Sequence, residues 1–312
     1  MNTTPLPDLS GVYSLPPIFD VRDASNLAAS WAFAAWDVDA LRKMHDGSGV
    51  TVAVLDTGAD DTHPDLAGRI VKQRDFTNSR VGYRDSHGHG THCLGTVGGL
   101  TRTIGLANGP LLNGKVLGDS GSGSDGGIAD GIDWAVAEGA QVISMSFGSS
   151  GQSGPIKAAC DRAAAKGVWV IAAAGNEGRA GVGYPGGYAS CISVAAIDRN
   201  FKVANFSSRG DKLDCSGPGV DMISCKPGGG YQSMSGTSMA TPFIAGLLAC
   251  YRGLLKAKSL PIPDVAGLRK LLGSRTVDLG TTGDDTDYGP GWVAPLMLAI
   301  TAVPNPKPLE GI

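Results

Sequence analysis

From residue 50 onward, short apolar runs alternate with longer stretches of helical period, and glycine stands at several of the junctions. Residues 50–55 form the first strong strand run. Residues 115–117 read as a short strand, 128–138 as a helix closed by Gly139, and 142–147 as a strand. Residues 156–166 then read as a helix closed by Gly167, with strands at 168–174 and 192–197. Strand runs that are apolar at nearly every position are buried on both faces. Joined through helices, they pair in parallel, because a parallel connection needs a crossover. The expected fold is therefore α/β, a three-layer sandwich with a mostly parallel central sheet and helices on both faces. A helix from 238 to about 256 is apolar enough to be central and buried. Residues 36–45 carry apolar positions at helical spacing and stop at Asp46-Gly47-Ser48-Gly49, while 268–272 and 293–300 read as closing helices. Residues 1–33, rich in Pro, Asp and Ser without a sustained period, read as an N-terminal arm, and 34–312 as one domain.

The 312 residues suffice for one large core. The 47 glycines and the low charged fraction of 18% suit tight turns and small-residue packing. A net charge of −3 gives no basic surface and disfavours nucleic acid. Apolar runs are interrupted before they reach a membrane span. The first residues lack the basic-then-apolar order of a secretory leader. A cytoplasmic protein is expected if the chain is full length, and a secreted one if a leader has been removed. Cysteines 93, 160, 191, 215, 225 and 250 are scattered without C-x-x-C spacing, and the reading is a reduced set.

Three stretches carry chemistry. Gly236-Thr237-Ser238-Met239-Ala240-Thr241-Pro242 joins a turn to the apolar helix. Ser238 falls in the first turn, where unpaired N–H groups and the dipole favour negative charge. A serine so held can act as a nucleophile, its own N–H stabilising an oxyanion; equally, small residues there can serve only capping and packing. Asp56 ends a strand run, at the sheet edge where α/β sites assemble, although an Asp before Thr-Gly can also simply cap a turn. His87, His89 and His92 crowd into six residues, but H-E-x-x-H is absent, which disfavours zinc hydrolysis.

Taken together, Asp56-Thr57-Gly58, His89-Gly90-Thr91-His92 and residues 236–242 resemble the aspartate, histidine and serine motifs of the subtilisin-like serine proteases, the subtilases, in the family's order. The resemblance runs from about residue 36 to about 299. It implies a subtilisin-like fold and a serine endopeptidase with the triad Asp56, His89 and Ser238. It further implies Asn176 as the side-chain oxyanion donor. Substrate would lie as an added strand between Gly121-Ser122-Gly123 and Ser146-Phe147-Gly148. Gly183 would floor a deep primary pocket and favour large apolar residues before the scissile bond. A second pocket, reading three residues further upstream, would include Asp125, Gly127 and Ile128. There Gly127 leaves the pocket open and Asp125 favours a basic residue. His63 and His92 match structural histidines of the family, and His87 an exposed loop position.

Other readings remain open at this level. The same triad serves peptide transfer through the acyl-enzyme, and a catalytically silent peptide-binding module would keep the same groove. The G-x-S-x-G elbow of α/β-hydrolase esterases is absent around Ser238. No cofactor is required, and the implied partners are peptide or protein substrates, with no nucleic acid and no membrane; the oligomeric state is unread. The family often holds calcium near the position of Asp65, but Arg102 stands where an Asn ligand is common. The expectation is that Arg102 pairs with Asp65 and replaces the ion. A weaker, carbonyl-lined cation site is expected near Gly186, Tyr188 and Cys191. Cys93 reads as a small packing residue, and Met239 beside Ser238 predicts sensitivity to oxidation. The arm is too short for a folded inhibitory prodomain. Intracellular members carry a short extension, and Tyr13-Ser14-Leu15-Pro16-Pro17 suits one that crosses the active site, since proline-bearing bonds resist attack.

Overall fold

Strand residues 52–56 are buried at every position, and their side chains part to opposite sides: Val52 and Val54 enter one apolar cluster, Ala53 and Leu55 another. That two-sided burial is what a central strand between two helical layers requires. It organises a computed structural model that describes residues 12–24, 30–101 and 104–294.

The chain begins with β1 (Val12–Ser14), β2 (Phe19–Asp23), α1 (Trp31–Ala35) and α2 (Val38–Met44). There follow β3 (Val52–Asp56), β4 (Ile70–Asp75), α3 (His89–Gly98), β5 (Leu111–Lys115) and β6 (Ser122–Ser124). The middle third holds α4 (Asp125–Ala137), β7 (Val142–Met145), α5 (Gly154–Ala165), β8 (Trp169–Ala173) and β9 (Cys191–Ile197). The last third holds β10 (Cys215–Pro218), β11 (Met222–Cys225), β12 (Tyr231–Ser235), α6 (Thr237–Ala257), α7 (Val265–Arg275), β13 (Thr276–Val277) and β14 (Trp292–Val293). Nine strands form the main sheet in the order β13-β14-β10-β9-β8-β7-β3-β5-β4, parallel except for the β13–β14 pair. Helices α2, α3, α6 and α7 contribute to the cluster on one face, and α4 and α5 to the cluster on the other. The α/β, three-layer reading therefore holds.

Helix α6 is the spine of the first layer. It is long and apolar enough to cross a membrane, yet the apolar window is wholly buried inside this fold, so its hydropathy is that of a core helix. Pro242 lies in its second turn, and the Ser238 carbonyl that its missing N–H leaves free accepts instead from Ser146 Oγ at 2.9 Å and from Cys93 Sγ.

Several local expectations are corrected. The helix expected at 36–45 is α2, at 38–44, and a separate short helix, α1, precedes it across a break where Asp37 adopts φ 45°. Trp36 sits at that break and meets Phe243, Phe201 and Trp292 at ring distances of 5.6, 5.5 and 4.7 Å. The strand expected at 115–117 is β5, which begins at Leu111 and ends at Lys115. Asn113 and Gly114 break its apolar pattern, but Asn113 is satisfied by Gln73 and the Tyr83 carbonyl, and Gly114 leaves room for Leu55. Val293, expected to open a helix, instead closes β14, and residues 295–300 of that expectation lie outside the described residues.

A truncation inside α6 tests its role as the buried spine. Leu248→Ala is expected to cost about 2–5 kcal/mol, against about 0.5 kcal/mol or less for the exposed Leu260→Ala, measured as the shift in a denaturant midpoint. Equal, small shifts would contradict a buried α6.

Candidate active site

Neighbouring strands deliver the candidate residues to one edge of the sheet. Asp56 ends β3, Ser146 follows β7, and Asn176 lies just past β8, and these strands are adjacent. Helix α3 starts at His89, and α6 presents Ser238 in its first turn. All five side chains are buried or nearly so. The carboxyl edge of a parallel sheet collects loops from every strand, and that is why residues distant in sequence meet there.

His89 Nδ1 lies 2.7 Å from Asp56 Oδ1, a pairing that fixes the ring and leaves Nε2 as the free face. Burial alone would lower the imidazole pKa, but the Asp56 carboxylate beside it, together with Cys93, raises it well above the ordinary value. Cys93 Sγ lies 3.8 Å from His89 Nδ1 and donates to the Ser238 carbonyl. His92 behaves oppositely. Burial and the neighbouring His89 push it down to about 4, and its Nε2 donates to the Met222 carbonyl, so it is a neutral structural ring. His63 likewise holds a backbone position, bonding the Gly230 carbonyl and accepting from the Asp65 N–H. His87 is exposed.

The approach of α3 to the end of β3 leaves no spare volume. A Cβ on Gly90 would lie 2.2 Å from the Gly58 carbonyl oxygen, and Gly58 itself adopts φ +113°. Asp85 fastens the junction. Its Oδ1 accepts from Thr57 Oγ1 and from the N–H groups of His87 and Gly88, and its Oδ2 accepts from the N–H and hydroxyl of Thr91. Thr57 in turn accepts from the Gly90 N–H at 2.9 Å. Lys115, fully buried, donates to the carbonyls of Thr57 and Arg84 and pairs with Asp119. Sequence reasoning missed Asp85 and Lys115, and read Thr57 only as a motif residue without its fastening contacts. The one available signal was an Asp close before a helix start, a common capping position.

Ser238 and His89 are near but not hydrogen-bonded. Ser238 Oγ donates to the Ser146 carbonyl at 3.0 Å, and His89 Nε2 is buried without a partner. Asn176 turns its Oδ1 to the N–H and hydroxyl of Thr237, which directs its Nδ2 into the cleft. That Nδ2 donates to the Pro17 carbonyl at 2.6 Å.

Residues 12–17 of the arm lie in the cleft. Residues 12–14 pair antiparallel with 122–124, with Tyr13 opposite Gly123. Ser14 exchanges both backbone bonds with Gly148, and the Leu15 N–H donates to the Gly121 carbonyl. Thus Gly121, Ser122, Gly123 and Gly148 do form two edges around an extended chain, and Phe147 packs edge-on to Tyr13. Continuing this ladder sets residue 16 opposite Ser146. Pro16 has no N–H for that carbonyl, and the Ser238 hydroxyl takes it instead. A cavity of about 330 Å³ beneath Pro16 and Pro17 is lined by Ser149, Ala174, Gly175 and Gly183 among others. Gly127, expected to keep the second pocket open, faces elsewhere: a Cβ there would lie 2.8 Å from the Phe76 carbonyl oxygen. Asp125 opens α4, and its Oδ1 is buried without a partner.

The residues at the family's calcium position near Asp65, where Arg102 was expected to replace the ion, and those at the expected weaker cation site both suit a cation poorly. The Arg102 pairing lies outside the described residues. Asp65 itself accepts from Thr101 and Tyr231, and its close neighbours are His63 and Cys225, donors too soft for calcium. Near Gly186, Tyr188 and Cys191, the Arg269 guanidinium donates to the carbonyls of Ala189 and Cys191 and pairs with Asp214, so a fixed positive charge already meets that carbonyl cluster. The cysteines at 93, 160, 191, 215, 225 and 250 are free and buried.

A sequence profile described as the subtilase family matches residues 47–291. Alkaline elastase YaB from Bacillus sp. strain YaB is 43% identical over 251 residues, covering 79% of this chain and 64% of that protein. A thermostable alkaline protease from Halalkalibacterium halodurans is 44% identical over 207 residues, 65% of this chain and 56% of its own length. Subtilisin Savinase from Lederbergia lenta is 42% identical over 251 residues, 79% of this chain and 89% of its own. The chain thus spans only a little over half to under two thirds of the first two relatives.

The α3–β3 junction yields a structural test. Gly90→Ala is expected to displace His89 from Asp56, so that the downfield proton resonance of the shared Nδ1–H bond disappears while the fold's circular dichroism persists. Retention of that resonance would mean the close approach is not what sets the pair.

Proposed function

The chain belongs to the subtilase family, and from that membership we propose that it is a serine endopeptidase that cuts peptide bonds through an acyl-enzyme. The observation that carries the reading is the 2.7 Å Asp56–His89 pair at the mouth of a groove that already holds an extended chain against Ser238 and Asn176.

Our assignment is Ser238 as nucleophile, His89 as general base and then acid, and Asp56 as the group that keeps Nε2 of His89 facing the serine. The Ser238 side chain must rotate from the Ser146 carbonyl toward the unpartnered His89 Nε2. A substrate with an N–H at the position of Pro16 would compete for that carbonyl and favour the rotation. The serine oxygen then attacks the carbonyl carbon while its proton passes to Nε2. Asn176 Nδ2 and the first-turn N–H of Ser238 hold the oxyanion. His89 returns the proton to the leaving amine, and water repeats the sequence on the ester. Gly183 and the cavity above it support a preference for large apolar residues before the cut bond.

We assign residues 1–33 as an N-terminal arm whose residues 12–17 occupy the groove, and 34–312 as the peptidase domain. The strand register aligns Pro16–Pro17 for attack, yet the Asn176 donor holds the Pro17 carbonyl, one residue further on. The bond opposite the nucleophile and the carbonyl at the oxyanion donor are therefore not the same peptide unit, and the arm is bound without being a good substrate. Its occupancy should slow cleavage of added substrates.

Peptide hydrolysis by the full chain tests the proposal. A base acts when neutral, and the His89 pKa is raised, so kcat/KM should climb with pH through a midpoint above 6.5 and fall on acidification. Asp56→Asn should move that midpoint down. Ser238→Ala should abolish turnover. Asn176→Ala should lower kcat by about 10²–10³-fold, a loss already established for the same donor in subtilisin itself. Turnover that survives Ser238→Ala, or a midpoint unmoved in Asp56→Asn, would overturn the assignment.

A further inference from the structure

Once residues 12–17 have crossed the cleft, the chain stays beside it. It continues as β2, which pairs antiparallel with β12, the strand that leads into Ser238. Phe19 stands opposite Ser235, Arg22 opposite Ser233 and Asp23 opposite Gln232, and the Ala24 N–H donates to the Tyr231 carbonyl. β12 already pairs with β11 along its other edge, so β2 takes the one edge of β12 that a passing chain could join. That edge begins at Ser235, just before the nucleophile, where the residues after a cut bond would lie. An extended substrate would add there as a strand, and it finds the edge taken. β2 also has anchors of its own. The Phe19 ring stacks on Phe206, with centroids 4.7 Å apart and planes at 16°. Further along the chain, Trp31 Nε1 donates to the Val220 carbonyl, and the Trp31 ring meets Trp36. A substrate that displaces residues 12–15 competes for Gly121, Gly123 and Gly148, and the β2 ladder uses none of these.

The Pro17 carbonyl lies at the Asn176 donor, where the carbonyl of a cut bond would lie. Counted from there, residue 18 matches the first residue after the cut and Phe19 the second. The first meets no strand, and the second coincides with a residue already in the β12 ladder. We propose that β2 is a fixed part of the leaving side of the site, and that Phe19 limits how much chain can follow the cut. Among peptide bonds, the protein then favours those close to the C-terminal end of a substrate over those followed by an extended strand. This deepens the peptidase reading and rests on it.

Amidated peptides that share their residues before the cut and carry one, two or four residues after it test this on the full chain. Occupancy of the groove by residues 12–17 lowers kcat/KM for all of them by one common factor, so their ratios survive it. From one residue to four, kcat/KM should fall about tenfold, because the added residues must lift a strand tethered at high effective concentration or turn away from it. Phe19→Ala, which removes the stack on Phe206, should bring the longest peptide to within about twofold of the shortest. A rate that stays level or rises with length in the wild type, or a fall that Phe19→Ala leaves unchanged, would overturn the proposal. If no peptide is cleaved, the peptidase reading fails, and β2 is judged without catalysis by amide hydrogen exchange. Tyr13 is fully buried, so Tyr13→Ala loosens the half of the arm that lies in the groove. Exchange at Ser14 and Leu15 should then speed about tenfold, while Ala24, bonded to Tyr231, changes by less than about twofold. Protection lost at Ala24 together with Leu15 would overturn the proposal, since β2 would then leave with the rest of the arm.

Discussion

The close approach of helix α3 to the end of strand β3 is the contact on which the site depends. Two glycines make it sterically feasible, since a Cβ on Gly90 would collide with the Gly58 carbonyl. Asp85 then ties the two elements together by accepting from Thr57 on one side and from the first turn of α3 on the other. A carboxylate that accepts several backbone and hydroxyl donors in a buried position forms a rigid junction. Rigidity matters because the Asp56–His89 pair spans this seam, and an ångström of slip would separate them. Lys115 completes the seam from below by binding the Thr57 carbonyl.

Ser238 comes from a different direction, at the head of the buried helix α6, and Asn176 from the end of β8. Thr237 links them, since its N–H and hydroxyl both bind Asn176 Oδ1. That single amide orientation presents Nδ2 to the cleft. The site is thus built on three junctions, α3 on β3, β8 on α6 and α6 on the sheet, with the Ser238 hydroxyl turned to the Ser146 carbonyl. Residues 12–15 of the arm take strand-type backbone bonds along both edges of the groove, and Pro16, which has no N–H, stands opposite Ser146. The bond from the Ser238 hydroxyl to that carbonyl goes with the missing proline donor.

Much of this was legible in the sequence because it is local. The apolar runs at 52–55, 142–147 and 168–174 could only be buried strands, and the three motifs sit at their ends or at helix starts. Where side chains answered to distant partners, the sequence misled. Asn113 and Gly114 disguised β5, because their fitness depends on Tyr83, Gln73 and Leu55. Helix α1 was not anticipated, and the break at Asp37 that separates it from α2 goes with Trp36 meeting Phe201 and Trp292. Strands β10 to β12, built from Gly, Ser, Cys and Pro as much as from apolar residues, lacked an alternating pattern. Gly127 was read as space in a pocket but serves a close approach to Phe76. The arm's tendency to cross the site was readable from its prolines; its register, and its continuation as a strand on β12, needed Gly123, Gly148 and Ser235 to be seen beside it.

The most direct test of an assembled triad is covalent reaction of the intact chain with a fluorophosphonate, followed to completion by intact mass and located by peptide mapping. The account predicts one adduct, on the peptide containing Ser238, absent in Ser238→Ala and formed far more slowly in His89→Ala. An unmodified chain, or an adduct that forms equally fast without His89, would contradict it.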